Sequence, residues 1–263
     1  MRGVALLVVL AGCGRFGFGN TDPPDDGGGS GSDGDVVGDG PRDGTLGDDA
    51  GPSCEGYKVC DAFEDPAFDP LWTISSAATT LDTTRAHRGI RSVRVHTAAF
   101  PANTDSYEGI YDTSVLMTST TFWVRAWFWL SALPATGNGL ELMTAERAGN
   151  AGDYVFVFSD ETHLYSQYAS YSQVSQTTVP IGSWFCVVWK VVRSTTNTGS
   201  LEMTGDVPMI VMPNRQTDSA TNPMNLITIG TGFASSNTPS AQPAMDLWID
   251  DVIIHDAPVG CTD

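Results

Sequence analysis

The residues of this chain best suited to chemistry sit in short alternating runs. In Phe122 to Leu130 a period of two puts Phe122, Val124, Ala126, Phe128 and Leu130 on one face and Trp123, Arg125, Trp127 and Trp129 on the other. The first row suits a core. The second offers flat indole faces to sugar C–H groups and a guanidinium fork to hydroxyls or carboxylates. His163, Tyr165 and Gln167 form a polar row on another run, and Lys190 adds a cation to the run that begins at Trp184. With Arg125, these are the residue types a lyase would need, a base for a proton beside a uronate carboxylate and donors to neutralise that carboxylate. Glu141-Leu142-Met143-Thr144-Ala145-Glu146 places two acids close in sequence. A regular strand sends them to opposite faces, whereas a retaining hydrolytic pair needs carboxyls about 5 to 5.5 Å apart on one side.

Other chemistries are excluded by spacing. His87, His96, His163 and His255 are isolated, no H-x-x-x-H occurs, and there is no G-x-S-x-G elbow. The net charge of -18, which persists in part once the N-terminal third of the acids is set aside, argues against nucleic acid as a partner.

The elements that must position these side chains read as strands. Ser92 to His96, Thr121 to Leu130, Tyr154 to Phe158, His163 to Tyr168, Trp184 to Val192, Leu226 to Ile229 and Leu247 to Ile254 are rich in Val, Ile, Thr and aromatic residues. Turn signals at Pro134 to Gly139, Ala148 to Asp153 and Asn197 to Gly199 separate them at the intervals of a sandwich or jelly roll. No helical period extends beyond a turn or two. Residues 54–263 are therefore expected to form one domain of about 210 residues, enough to bury about 70 per cent of its unfolded surface.

The N-terminal region reads differently. Leu10-Ala11-Gly12-Cys13, after Arg2 and the apolar run Val4 to Leu10, resembles a bacterial lipobox, and the run is too short to span a bilayer. This predicts a lipoprotein signal peptide over 1–12, lipid attachment at Cys13, and placement in the bacterial cell envelope, at the outer membrane or cell surface. Residues 13–53, built from Gly, Asp, Pro, Ser and Thr, are expected to be a disordered, self-repelling linker. Asp33-Gly34-Asp35 begins like a calcium loop, but Val37 and Gly44 stand where oxygen ligands are needed. Cys54, Cys60, Cys186 and Cys261 lack zinc-like spacing. In an exported chain they predict two disulfides with three connectivities, of which Cys54–Cys261 with Cys60–Cys186 is favoured because the first and last strands of a sandwich often lie side by side.

The stretch Cys60-Asp61-Ala62-Phe63-Glu64-Asp65, then Trp72, then Asp82 to Val95 resembles the opening of concanavalin A-like jelly-roll domains of bacterial exoproteins, a group that includes laminin G-like modules. Val179-Pro180-Ile181-Gly182-Ser183-Trp184 resembles their central strand, and Leu247-Trp248-Ile249-Asp250-Asp251-Val252-Ile253-Ile254 their last. The resemblance covers most of residues 60–261. It implies an all-β, concanavalin A-like jelly-roll sandwich of two antiparallel sheets, with glycans bound across one sheet. It also implies a structural calcium ion between Glu64 and Asp250 or Asp251. Glu141 to Glu146 is similar to the E-x-D-x-x-E strand of retaining glucanases with this fold, with Met143 in place of the aspartate; the alginate-lyase Gln-Ile-His and Arg-x-Glu-Leu strings are missing. The fold serves many functions. The expectation is a membrane-anchored, non-catalytic module that binds polysaccharide or cell-surface glycan through Trp123, Arg125, Trp127, Trp129, His163, Tyr165 and Gln167. The alternatives are a polysaccharide lyase or glycoside hydrolase, and a structural or adhesive display module without a sugar site.

Overall fold

The computed structural model describes residues 54–112, 119–147, 152–221 and 223–262. The signal peptide, the lipid-attachment residue Cys13 and the linker lie outside the described residues.

Two antiparallel sheets make up the domain. The first contains β1 (Val59–Asp61), β3 (Thr79–Asp82), β4 (Ser92–Thr97), β6 (Thr121–Leu130), β11 (Trp184–Val192), β12 (Gly199–Gly205), β13 (Ile210–Arg215) and β15 (Met245–His255). Its order is β13-β12-β11-β6-β15-β4-β3, with β1 added alongside β15. The second contains β2 (Thr73–Ile74), β5 (Ser106–Asp112), β7 (Leu140–Glu146), β8 (Gly152–Val157), β9 (Thr162–Ser166), β10 (Tyr171–Ser175) and β14 (Leu226–Phe233), in the order β10-β9-β8-β7-β14-β5-β2. A single 3₁₀ turn, Ser235–Asn237, is the only helical element among the described residues. The fold is the two-sheet jelly roll that the sequence resemblance implies.

Alternation in the strands builds the core between the sheets. Phe122, Val124, Ala126, Phe128 and Leu130 of β6 point inward, as their period of two requires, and meet Ile227, Ile229 and Phe233 of β14 in one cluster. Each of these side chains except Ala126 contributes about 1.5 to 3 kcal/mol by leaving water. Three register shifts matter for function. In β15 the register against β6 shifts between Asp250 and Ile253, with Asp251 at a φ of 47°. In β7 it shifts between Glu141 and Met143 against β8, and in β14 it shifts between Ile229 and Gly232 against β7. A bulge of this kind adds one residue and reverses which face the following side chains occupy.

The disulfides are Cys54–Cys60 and Cys186–Cys261. This corrects the favoured pairing. Its premise holds, since Val59 of β1 pairs with Ile254 of β15. After β15, however, the chain turns back across the first sheet, so Cys261 reaches Cys186 on β11 rather than the first strand. A Cβ at Gly205, beside Cys186, would lie 3.1 Å from the Cys261 Sγ, which shows how close the returning segment runs.

Candidate functional site

The outer face of the first sheet carries the indole row, and the chain covers part of it. Arg125 is 1% exposed. Its Nε and Nη2 donate to the Asp251 carbonyl at 3.2 and 3.0 Å, and its Nη1 donates to the Gly260 carbonyl at 3.4 Å. Trp127 stacks on His87 with ring centroids 3.6 Å apart. The Arg85 guanidinium sits 3.7 Å above Trp129, and Trp248 meets the same ring edge-on. Lys190 lies 5.6 Å above Trp123 and 3.7 Å from Glu202. Cys186, Val188, Ile253 and Val259 form a second small core here, with Tyr57, Cys60, Trp123, Trp127 and Cys261 packed against it. The face expected to meet sugars is thus a layer partly covered by the N-terminal segment, the segment after β15 and the loop holding Arg85 and His87: Arg125 is buried, while Trp123, Trp127 and Trp129 stay half-buried. Cation–π contacts and a T-shaped indole pair stabilise it.

Glu64, Asp250 and Asp251 belong to that layer. Ile90 N donates to Glu64 Oε1 and Oε2 at 3.0 and 3.1 Å, and Arg91 N to Oε1 at 3.1 Å. Asp250 accepts from His87 N at 2.7 Å and from Asp251 N at 2.8 Å, while Asp251 Oδ2 lies 2.7 Å from His87 Nδ1. Burial and the neighbouring Asp251 push the Asp250 carboxyl up to about 8 against the pull of these amides. The carboxylates grip the two ends of the loop by its N–H donors, whereas calcium needs a cage of carboxylate and carbonyl oxygens. Among the described residues no three His, Cys, Asp or Glu side chains gather within reach of a metal. In this structure the three carboxyls are engaged by N–H groups of the loop, by one another's backbone and by His87.

The outer face of the second sheet is built in the opposite way. Glycines lower its floor. Gly109 of β5 and Gly230 of β14 are cross-strand partners, and a Cβ on Gly230 would lie 2.1 Å from the Glu108 carbonyl oxygen. A Cβ on Gly232 would lie 2.8 Å from Glu141 Oε2, so the missing side chain is the space that the carboxyl fills. Above this floor lies a cleft partly open to solvent, lined by Tyr107, Tyr111, Glu141, Thr144, Glu146 and Tyr154 among others. Glu108 stands at the rim, where Ser75 Oγ donates to it at 3.2 Å and Ser76 Oγ also bonds to it.

The bulge in β7 decides the chemistry. Met143 is fully buried in the core, and Glu141 and Glu146 both face the cleft, which corrects the expectation of opposite faces. Burial, followed by the neighbouring Glu146 and Asp105, pushes the Glu141 carboxyl up to about 8. Burial pushes Glu146 up to about 7 against a hydrogen bond from Tyr154. The Tyr154 hydroxyl lies 3.5 Å from Glu146 Oε2 and 3.1 Å from Gln167 Oε1. One phenol proton serves one acceptor. The shorter contact makes Gln167 its acceptor, and a protonated Glu146 can donate to the phenol oxygen in turn. Burial together with the Glu146 and Glu141 charges holds Tyr154 as a neutral phenol. Burial does the same for Tyr107, with Glu141, Asp105 and Glu146 adding to it.

His163, Tyr165 and Gln167 lie on this second face, away from the tryptophan row, so the predicted rows do not converge. Tyr165 pairs across β8 with Tyr154, their rings 5.9 Å apart. His163 Nε2 lies 2.8 Å from Glu161 Oε1, and its ring packs 4.5 Å from Phe158. β9 ends at Ser166, and Gln167 sits in the turn beyond it with its backbone N–H bonded to the Gly152 carbonyl at 2.9 Å. The lyase set built on Arg125 is divided between the two sheets.

Sequence reasoning missed Tyr107, Tyr111, Tyr154 and Glu108 as lining residues. The alternation Tyr107-Gly109-Tyr111 and the small row Thr228-Gly230-Gly232 carried the signal: a strand whose one face alternates aromatics with glycine leaves room above its backbone.

No protein-family model matches the chain, and no curated protein sequence does. Solved structures share its fold. A cellulose-induced protein, Cip1, superimposes with a TM-score of 0.59 at 18% identity, covering 78% of this chain and all of that one. An endo-β-1,4-glucuronan lyase from the fungus Trichoderma reesei superimposes with a TM-score of 0.52 at 14% identity, covering 77% of this chain and 92% of the lyase. At these identities the likeness establishes architecture: the chain folds as a jelly-roll sandwich of two antiparallel sheets.

Proposed function

We propose that this chain is a lipid-anchored envelope protein whose jelly-roll domain binds polysaccharide in the cleft on the outer face of the second sheet. One observation carries the reading. That face combines the half-buried rings of Tyr107 and Tyr111, the buried ring of Tyr154, hydrogen-bonding carboxyls and a glycine floor in one cleft, the mix of flat apolar surface and convergent polar groups that a sugar ring requires. The names of the two structural neighbours, one induced by cellulose and one cleaving glucuronan, are consistent with it. The lipobox-like Leu10 to Cys13 and the acidic tether after it supply the anchor.

Affinity electrophoresis of the full chain through gels containing a panel of polysaccharides tests the binding. Wild type and Trp127→Ala should both be retarded, and Tyr107→Ala should run free. Retardation lost with Trp127→Ala and kept with Tyr107→Ala would return the site to the first sheet. Acyl mass on Cys13 and partition into detergent test the anchor; a chain that stays in the aqueous phase without acyl mass lacks it.

A second reading, glycoside hydrolysis, is favoured by the bulge that brings Glu141 and Glu146 to one face. A carboxyl held protonated near neutrality can donate to a glycosidic oxygen, and its ionised partner can act as base or nucleophile. New reducing ends formed by wild type and abolished by Glu141→Gln would establish it. Retention without chain shortening would leave a binding module.

A further inference from the structure

We propose, on the basis of the glycan-binding reading of this cleft, that it selects chains of neutral, hydroxyl-bearing sugars and rejects polyuronates. Its lining holds three carboxyl groups, Glu108, Glu141 and Glu146, with the phenols of Tyr107, Tyr111 and Tyr154, and no Lys, Arg or His among the described residues. Asp105 adds a fourth acid close enough to act on Glu141 and Tyr107. A uronate carboxylate entering such a site gives up its hydration and finds no opposite charge, a penalty that hydroxyl groups do not incur.

None of the ten Lys and Arg residues of the folded part lines the cleft, although Arg147 follows Glu146 directly at the end of β7; Arg91 bonds to the Glu64 carbonyl, Arg88 lies 4.0 Å from Asp251 and Arg215 lies over Tyr171. Arg85, Arg94 and Lys190 lie over indoles of the first sheet, Arg125 is buried beneath the returning C-terminal segment, Arg193 is bound to Asp218 at 2.8 Å, and Lys58 is bound to Asp256 at 2.6 Å. His163, two strands from the acid pair on the same face, is held by Glu161. Segments 113–118 and 148–151, which follow β5 and β7 in the chain, contain no Lys, Arg or His. The net charge of -18 extends the same bias beyond the cleft, slowing the approach of any polyanion.

Hydrogen bonding points the same way. Neutral sugars present donors and acceptors on each hydroxyl, which match carboxyls and phenols that can exchange both roles. Glu141 and Glu146 lose their protons as pH rises through about 7 and about 8, so discrimination against uronates grows over that interval.

Matched polymers test this. The full chain is run through gels containing neutral glucan, mannan or galactan, and through gels containing the same polymers oxidised at C6 to uronates, at pH 6 and pH 9. The expected result is retardation by at least one neutral polymer and about tenfold weaker retardation by its oxidised form at pH 9. The gap should narrow at pH 6, at high salt, and in the Glu141→Gln/Glu146→Gln variant. Equal or stronger retardation by an oxidised polymer at pH 9 would overturn the selectivity and leave glycan binding standing. No retardation by any polymer would remove the binding itself, and the selectivity with it.

Discussion

The outer faces of the two sheets are both rich in aromatic and charged residues, and they have opposite fates. On the first sheet Trp123, Arg125, Trp127 and Trp129 lie under cations, loops and a disulfide-linked C-terminal segment. On the second, Tyr107, Tyr111, Glu141 and Glu146 line an open cleft. Half-buried indoles paired with guanidinium and ammonium groups make a layer that stabilises the sandwich. Phenols and carboxyls over a glycine floor line a recess instead of a packed aromatic layer. Residue type alone does not distinguish a platform from a packed layer; what the chain lays over the face does.

The sharpest break in this comparison should come from the packed layer. Replacing Cys186 and Cys261 with Ser opens a link of sequence separation 75 and should cost about 4 kcal/mol in chemical denaturation. The same change at Cys54 and Cys60, separation 6, should cost about 2 kcal/mol. Equal costs would mean that the C-terminal segment stays docked without its covalent tie. Arg125→Leu comes next, at about 3 kcal/mol, because the Asp251 and Gly260 carbonyls lose their donor in a buried layer. In both cases the folded fraction should still be retarded by glycan. If either variant loses binding while folded, the two faces are coupled.

On the open face the signature is a pH dependence. The folded-state values of Glu141 and Glu146 lie above the ordinary 4.5, so the folded chain holds more protons than the unfolded chain across that range. Stability contributed by these groups should therefore fall as pH rises from about 4.5 through about 8 and then level. Melting temperature followed from pH 4.5 to 9 should show this decline, and Glu141→Gln should flatten part of it. The smallest effect is expected from Tyr165→Ala, which removes one half-buried ring beside the cleft and should weaken glycan retention about threefold to tenfold with little change in melting temperature.

Much of the architecture was legible in advance. β4, β6, β11 and β15 fall where Val, Ile and aromatic residues alternate or run together between turn signals, and each lies at or near the centre of the first sheet. β12 and β13 escaped notice because Leu201, Met203, Ile210 and Met212 are spaced among Gly, Pro and polar residues, and outer strands bury only one face. β5 and β14 carry glycines on the cleft side, which weakened them as strand signals while creating the site. In β7 the period of two was sound until one extra residue reversed it, and nothing local in Glu141-Leu142-Met143 announces that bulge.

Local chemistry by itself determined the strand periods, the inward row of β6, the lipobox-like start with the acidic, glycine-rich stretch after it, the even number of cysteines beyond Cys13 and the strongly acidic charge. These depend on side-chain spacing and composition, which are properties of neighbouring residues. Tertiary structure alone decided which cysteines meet, which aromatic face is covered, and that Glu141 and Glu146 share a cleft. Those outcomes depend on where the chain returns after β15 and on the register shift of β7 against its neighbours β8 and β14, which leaves no periodic trace in the residues that make it.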